Sequence, residues 1–470
     1  MPRFERFCAA GRRWALRSTV PPITPAAWGA FQTGLPPGRL GVVDFLYWDR
    51  TQRRLRPFSA QQLPATLWER ASRAGRRVVV INVPLSWPPR PVCGALISGM
   101  PIPGRDQPFT HPPELGARLR ERVPGYDVLG LGEHMTVDRR DRGAVLAFVD
   151  AMVAQMQGQV DAACWLFPEE RPDLAMVHLH AIDFVQHRLW GYLDRTHPAF
   201  EPKLYAAIAD RLFPALDAMI ALLDERFRAV SDDGAASIIL SDHGFQANRW
   251  RFNLGRWLLD HELVAARPVP GPAAARRGGR HPGRGGWREA AVARVVALDR
   301  WGMRRLLPGA MRRRAVGDLR RAQMEIDPAR SRVYAHGVHW VSLYFLSPEL
   351  GAPARRAELA SALGQVRHRG APVVAAVHWG DDLFAADVRE LAPDALLEPA
   401  AEYSIGCVPN RWLPLISEVT CDAPFWGIHH PDGILAVSAA DMPPPPCRND
   451  GAPHLEDLTP WLLGLLDIHD

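Results

Sequence analysis

Apolar positions along the chain fall into two alternating kinds of run. Four are short and continuous: Arg77–Val83 (RVVVINV), Leu174–Leu179 (LAMVHL), Ala236–Leu240 (ASIIL) and Gly433–Val437 (GILAV). Their length and aliphatic content are those of buried strands. Longer stretches between them carry a helical repeat. From Pro202 to Val230, apolar residues recur at Leu204, Ala207, Ile208, Leu212, Leu216, Ile220 and Leu223, a stripe along one helix face. Buried strands separated by helices predict an α/β fold with a largely parallel sheet. The opening MPRFERFCAAGRRWALRS is basic and amphipathic, and predicts a solvated helix.

Two segments break the alternation. Arg267 to Gly286 (RPVPGPAAARRGGRHPGRGG) is rich in Pro, Gly and Arg and cannot bury a core. Basic residues continue to Arg321 in a segment expected to be helical. Residues 265–329 are therefore assigned to an insertion, and 1–264 with 330–470 to one core. Pro443–Pro446 reads as a stiff connector.

Composition narrows the classes. A chain of 470 residues, 47% of them hydrophobic, can bury a large core, and its formal net charge of +5 leans toward anionic ligands without requiring nucleic acid. The Arg-rich insertion lacks interleaved aromatics for base stacking, so no nucleic-acid partner is expected. Six scattered cysteines without a CxxC pair point to a reduced, cytoplasmic setting. No apolar run reaches the roughly 18 residues of a membrane span. The N-terminus has no apolar core of a signal peptide.

Four clusters carry chemistry. In HLHAIDFVQH, Asp183 and His187 follow a predicted strand, and side chains four residues apart share one face of a helical turn. Both are good ligands for zinc or a similar ion. In IILSDHGF, Asp242 and His243 sit at the carboxyl end of another strand, where ligand sites of open α/β sheets gather. In WGIHHPDGILAV, His429 and His430 precede a strand, and one of them could close a metal site; the bland alternative is a histidine pair in a loop. In STVPPITPAAWGAFQTG, Thr24, Pro25 and Gly34 have the spacing of an N-cap, first-turn proline and C-terminal glycine. Thr24 is then either a plain helix cap or a hydroxyl facing exposed backbone N–H groups, a position that suits phosphate.

Taken together and in order, STVPPITPAAWGAFQTG, VINVPLSWPPRPVCGALISG, HAIDFVQHRLWGYLD, LSDHGF, RFNLGRWL, APDALLEP and GIHHPDGIL resemble the type I phosphodiesterase and nucleotide pyrophosphatase branch of the alkaline phosphatase superfamily. The resemblance runs through nearly the whole chain. It implies a three-layer α/β sandwich and a two-metal hydrolase, with zinc or manganese as the ions. Thr24 falls on the nucleophile position. Asp183, His187 and His429 match the first metal site, and Asp242 and His243 match ligands of the second. His430 falls where many relatives carry Arg and is not counted as a ligand. The implied mechanism is in-line attack of Thr24 on phosphorus, giving a phospho- or nucleotidyl-threonine that water then hydrolyses.

The sequence departs from that pattern at its start. Relatives begin with an apolar strand ending in Asp-Gly, whose Asp binds the second metal. Here the only carboxylate ahead of Thr24 is Glu5, in the predicted helix. The expectation is an absent central strand, a gap in the sheet beside the site, and a weakened second metal site. A misplaced start is favoured over a real, degenerate truncation. A smaller departure is Leu40-Gly41, where many relatives have His-Gly. The expected function is hydrolysis of a small phosphoester, most naturally a phosphodiester or nucleotide pyrophosphate. The alternatives are a phosphomonoesterase or phosphomutase of the same superfamily, and an inactive homologue acting as a binding protein. Thr24 argues against a sulfatase, which would want Cys or Ser there. Substrate identity and oligomeric state are not legible.

Overall fold

The computed structural model describes residues 1–129, 137–232, 235–269, 324–439 and 441–469. The chain divides into two compact units, Met1–Arg249 with Gly380–Ala392 and Val419–Asp470, and Trp250–Trp379 with Pro393–Glu418. The units meet along the sequence at Arg249–Trp250, Trp379–Gly380, Ala392–Pro393 and Glu418–Val419. Most of the insertion expected at 265–329, with its helical segment, falls outside the described residues.

In the first unit, helix α1 (Pro2–Ala10) and strand β1 (Arg12–Arg17) lead to helix α2 (Thr24–Thr33). Strands β2 (Val78–Val83), β3 (Gly94–Ser98) and β4 (Thr110–His111) follow, then helix α3 (Arg142–Glu170). Strand β5 (Leu174–Val177) precedes helices α4 (Ala181–Leu193) and α5 (Pro202–Arg228). Strands β6 (Ile238–Leu240), β7 (Gly244–Ala247), β8 (Gly427–His430) and β9 (Asp432–Val437), and helix α6 (Leu458–Leu465), follow.

All four predicted strands form, shortened or lengthened by a residue or two, and the long predicted helix is α5. The N-terminal expectation needs correction. Only residues 2–10 are helical, and Arg12–Arg17 is a strand antiparallel to β9. In RRWALR, Trp14 and Leu16 alternate with Arg13, Ala15 and Arg17, so one face of the segment packs while the other is more exposed.

One sheet has the order β4-β3-β2-β5, with β2 parallel to both β3 and β5; another has the order β1-β9-β6 and is antiparallel. Period-two alternation on β2 explains the layering. Val78 and Val80 face one core with Trp28, Phe31, Leu67 and Leu463, while Val79 and Ile81 face another with Ala163, Leu166 and Phe167. All four valine and isoleucine side chains are fully buried, each burial stabilising by about 1.5–3 kcal/mol before entropy is counted. Asp183 and His187 follow the carboxyl end of β5, the end where a parallel sheet leaves backbone and loops free, and Asp242 and His243 follow that of β6.

The second unit has its own core. Its sheet has the order Val333–Gly337, Val341–Phe345, Ala395–Pro399, Val374–Trp379, all antiparallel. Leu343 and Leu397 pack with Leu359 and Leu363 of the helix Pro353–Gly364.

Candidate active site

Asp183 and His187 lie on α4, one turn apart as predicted, with their side chains 3.5 Å apart at Nε2 and Oδ2. Helix α4 starts directly after β5, so the strand delivers both side chains to the end of the sheet. Asp242 and His243 occupy the connection between β6 and β7, with Oδ2 and Nε2 3.3 Å apart. His429 is on β8, which pairs antiparallel with β7, His429 opposite Phe245. The two histidines therefore lie on a strand and not in the loop of the bland alternative, and strand alternation separates them. His429 is buried, whereas His430 turns aside and its Nδ1 accepts the Asp432 N–H at 3.1 Å. The predicted ligands Asp183, His187, Asp242, His243 and His429 come together, and His430 stays out.

Asp183 sits in the middle. Its carboxylate lies 3.4 Å from His429 Nε2 and 3.9 Å from His243 Nε2. The rings of His243 and His429 stack with centroids 3.5 Å apart. Ligand atoms of Asp183, His243 and His429 all lie within 4.8 Å of one another. This trio crosses the expected division into two metal groups, since His243 joins the Asp183–His429 side.

Backbone carbonyls set the histidine tautomers. His187 Nδ1 lies 2.9 Å from the Gly427 carbonyl, and His429 Nδ1 lies 2.8 Å from the Pro22 carbonyl. A carbonyl only accepts, so each Nδ1 carries the proton and donates it. Each Nε2 is then left with a lone pair, and these two atoms face each other at 3.0 Å. Two lone pairs at that distance repel unless a proton or a cation lies between them. Burial pushes His187 down to about 4 and His243 well below its usual range, so both rings are neutral at pH 7. Neutral imidazole is the ligand form.

The carboxylates complete the pattern. Asp183 Oδ1 and Asp242 Oδ2 are buried with no hydrogen-bond partner. Burial, then the charge of Asp183, push Asp242 well above the usual carboxylate range. For Asp183 burial also acts upward, but the surrounding imidazoles, His187 first, hold it well below that range when they carry a proton toward it. Two orphaned carboxylate oxygens and converging imidazole lone pairs form a donor set that lacks positive charge, which fits a divalent cation.

Thr24 stands at the first turn of α2, but not as its cap. The N-cap is Ile23, and no side-chain cap hydrogen bond forms. The hydroxyl is thereby left to the site, with Thr24 Oγ1 3.4 Å from His243 Nε2. The far end of α2 follows the prediction: Gly34 has φ 73°, and its N–H bonds the Ala30 carbonyl.

Supporting residues hold these elements in place. Arg139, buried, donates to the carbonyls of Arg188 on α4 and of Cys421, Ala423 and Pro424. The Trp426 N–H bonds the His187 carbonyl at 2.8 Å. These ties fix α4 against the segment leading into β8, and so fix His187 against His429. Sequence reasoning missed two further histidines of HLHAID. His180 Nε2 lies 3.9 Å from Asp183 Oδ2. His178, pushed down to about 3 by burial, donates from Nδ1 to the Asn82 carbonyl, and the Asn82 amide returns a bond to the His178 carbonyl. The alternating His-Leu-His directly before Asp183 was the available signal.

The type I phosphodiesterase / nucleotide pyrophosphatase family matches residues 1–302. The chain belongs to this family of phosphoester hydrolases. The site residues Thr24, Asp183, His187, Asp242 and His243 all fall within the matched span. No curated protein matches the sequence. Among solved structures, phosphonoacetate hydrolase from Sinorhizobium meliloti 1021, in complex with phosphonoformate, is similar with a TM-score of 0.52 at 15% identity, over 99% of this chain and 89% of that one. Human ectonucleotide pyrophosphatase / phosphodiesterase 5 has a TM-score of 0.48 at 12% identity, over 100% of this chain and 90% of that one. The first likeness is one of fold, an alkaline phosphatase-like mixed α/β architecture. Among the described residues, no helix is long and apolar enough to cross a membrane.

Proposed function

We propose that this phosphodiesterase-family chain hydrolyses small phosphodiesters or nucleotide pyrophosphates in a divalent-metal-dependent reaction, with Thr24 as nucleophile. One observation carries the proposal. The Thr24 hydroxyl, released from capping, points at His243 beside orphaned carboxylates and lone-pair imidazoles. Asp183, His187 and His429 would hold one ion, and Asp242 and His243 a second, of zinc or manganese. Bound there, such ions neutralise charge on the phosphoryl oxygens and favour the alkoxide of Thr24.

The chain's own groups do the rest. Backbone N–H groups at the N-terminus of α2 face the phosphoryl oxygens, which orients the phosphorus toward Thr24 Oγ1. The Thr24 hydroxyl gives up its proton to solvent as its oxygen bonds to phosphorus, and the leaving-group oxygen departs in line on the opposite side with the electron pair of the broken P–O bond. Water then attacks phosphorus in the phospho- or nucleotidyl-threonine, the Thr24 oxygen leaves, and the hydroxyl is restored. Burial of the His243 and His429 rings excludes bulk water from one wall, so charges act there at low effective dielectric.

The test is turnover of bis(p-nitrophenyl) phosphate, p-nitrophenyl phosphate and phosphonoacetate by the metal-supplemented protein. Diester turnover should dominate, and Thr24→Ala should cut it by about 10³-fold or more. Faster monoester turnover would shift the assignment to a phosphomonoesterase. Bound metal without turnover of any substrate would favour a binding protein.

A further inference from the structure

Strand β5 carries two imidazoles past its end, and the alternation of the sheet fixes where they go. Leu174 and Met176 face the layer that holds Trp28 and Phe31 of α2, while Ala175 and Val177 face the opposite layer. The ladder continues one residue beyond the strand, since the His178 N–H bonds the Ile81 carbonyl at 3.0 Å. Period two therefore sends His178 and His180 to the α2 side and Leu179 away from it. The contacts agree. His178 packs edge-on against Trp28 with ring centroids 4.7 Å apart, and the His180 ring follows 5.1 Å from that of His178. Leu179 instead joins the core of Val185 and Leu189.

Thr24 and His180 then come to one level. From Trp28 back to Thr24 is a helical turn, about 6 Å along α2. From His178 on to His180 is a similar step of about 6–7 Å along extended chain. Both steps lead toward the site, because Thr24 Oγ1 lies 3.4 Å from His243 Nε2 and His180 Nε2 lies 3.9 Å from Asp183 Oδ2. Thr24, His180, Asp183, Asp242 and His243 all line one cavity. His180 is 6% exposed, yet among the described residues its ring makes no hydrogen bond. The Asp183 oxygen that it faces is beyond hydrogen-bond reach. A carboxylate oxygen only accepts, so the ring proton is held on Nε2 and stays unspent. Buried donors without partners are rare in native folds, and a ligand oxygen in the cavity would supply the missing acceptor.

We propose that His180 is a substrate-binding residue, donating its Nε2–H to a phosphoryl oxygen of the phosphoester held at Thr24. The inference rests on the hydrolase reading and adds a contact to it. Backbone N–H groups of α2 grip the phosphoryl group from one element, and His180 grips it from the end of β5, so phosphorus is held in line with Thr24 Oγ1. The donor is fixed for this task. Phe184 packs edge-on against its ring at 4.9 Å, and the reciprocal bonds between Asn82 and His178 anchor the end of β5 just before it.

Calorimetric titration of the zinc-loaded protein with inorganic phosphate tests the contact without turnover, and the KM for bis(p-nitrophenyl) phosphate tests it with turnover. His180→Ala should weaken phosphate binding by about tenfold or more and raise KM to match, with kcat and zinc affinity within about threefold of wild type. His180→Gln, whose amide N–H reaches the place of Nε2, should recover most of the loss. Unchanged phosphate affinity in His180→Ala would overturn the proposal, as would a wild-type protein that binds no phosphate. Equal weakness of the Ala and Gln variants would overturn it too, since packing and not the donor would then matter. A parallel loss of zinc would do the same, because His180 would then act through the metal group. Phosphate binding that depends on His180 in a protein that turns over no phosphoester would support the contact and remove the hydrolase reading instead.

Discussion

Thr24 and His430 show how a single position decides between structural and chemical use. A threonine before Pro25 has the sequence of a helix cap, yet the helix begins one residue early and the hydroxyl is spared for His243. Thr24→Ser should keep measurable turnover, because the hydroxyl survives, whereas Thr24→Ala should not. Rates of the pair under identical metal loading check this, and equal rates would remove Thr24 from the chemistry. The adjacent histidines separate by strand alternation. His429→Ala and Asp183→Asn should each weaken divalent-ion binding by about 10- to 100-fold or more, and His430→Ala should leave it within about twofold. Equilibrium dialysis with zinc measures all three.

At the scale of elements, the site depends on how closely β8 approaches α4. An added Cβ at Gly427 would meet the Gln186 carbonyl oxygen at 2.5 Å, so backbone would have to move. That movement separates His187 from the Gly427 carbonyl that sets its tautomer. Gly427→Ala should therefore cost about 1–3 kcal/mol of stability and weaken metal binding as well. Normal metal affinity in a destabilised variant would show that the tautomer contact is unimportant. Much at this scale was legible in the sequence. Val78–Val83 and Ile238–Leu240 announce themselves by continuous aliphatic runs, and α5 by its stripe. Strand β1 was not legible, because a six-residue segment with two inward side chains has too short a period to outweigh the helical residues before it. His178 and His180 were quoted within their motif but given no role, since only the fold shows that both point back toward Asn82 and Asp183.

For the whole molecule, the buried histidines predict how stability varies with pH in the metal-free protein. His178 and His187 are pushed down to about 3 and about 4 by burial, while the unfolded chain titrates near the usual histidine value of about 6.5. Above that value neither state takes up a proton at these rings. Below it the unfolded chain binds protons that the folded chain refuses, so stability should fall as pH drops from about 6.5 toward 3–4. Denaturant melts of chelated protein between those limits measure the effect, and replacing His178 with Gln should flatten part of the slope. A pH-independent midpoint across the window would contradict the burial argument. The division into two units, with a boundary at Trp250, was not visible in the sequence. RFNLGRWL reads like any other helix entrance, and the composition shift that drew attention lies further along, in 265–329.

Anomalous diffraction at the zinc edge, on crystals grown with zinc, tests the central claim most directly. It should place an ion about 2.0–2.2 Å from the Asp183 carboxylate and from Nε2 of His187 and His429, with Thr24 Oγ1 facing the same pocket. Zinc bound elsewhere, or no anomalous signal among these side chains at saturating metal, would contradict it.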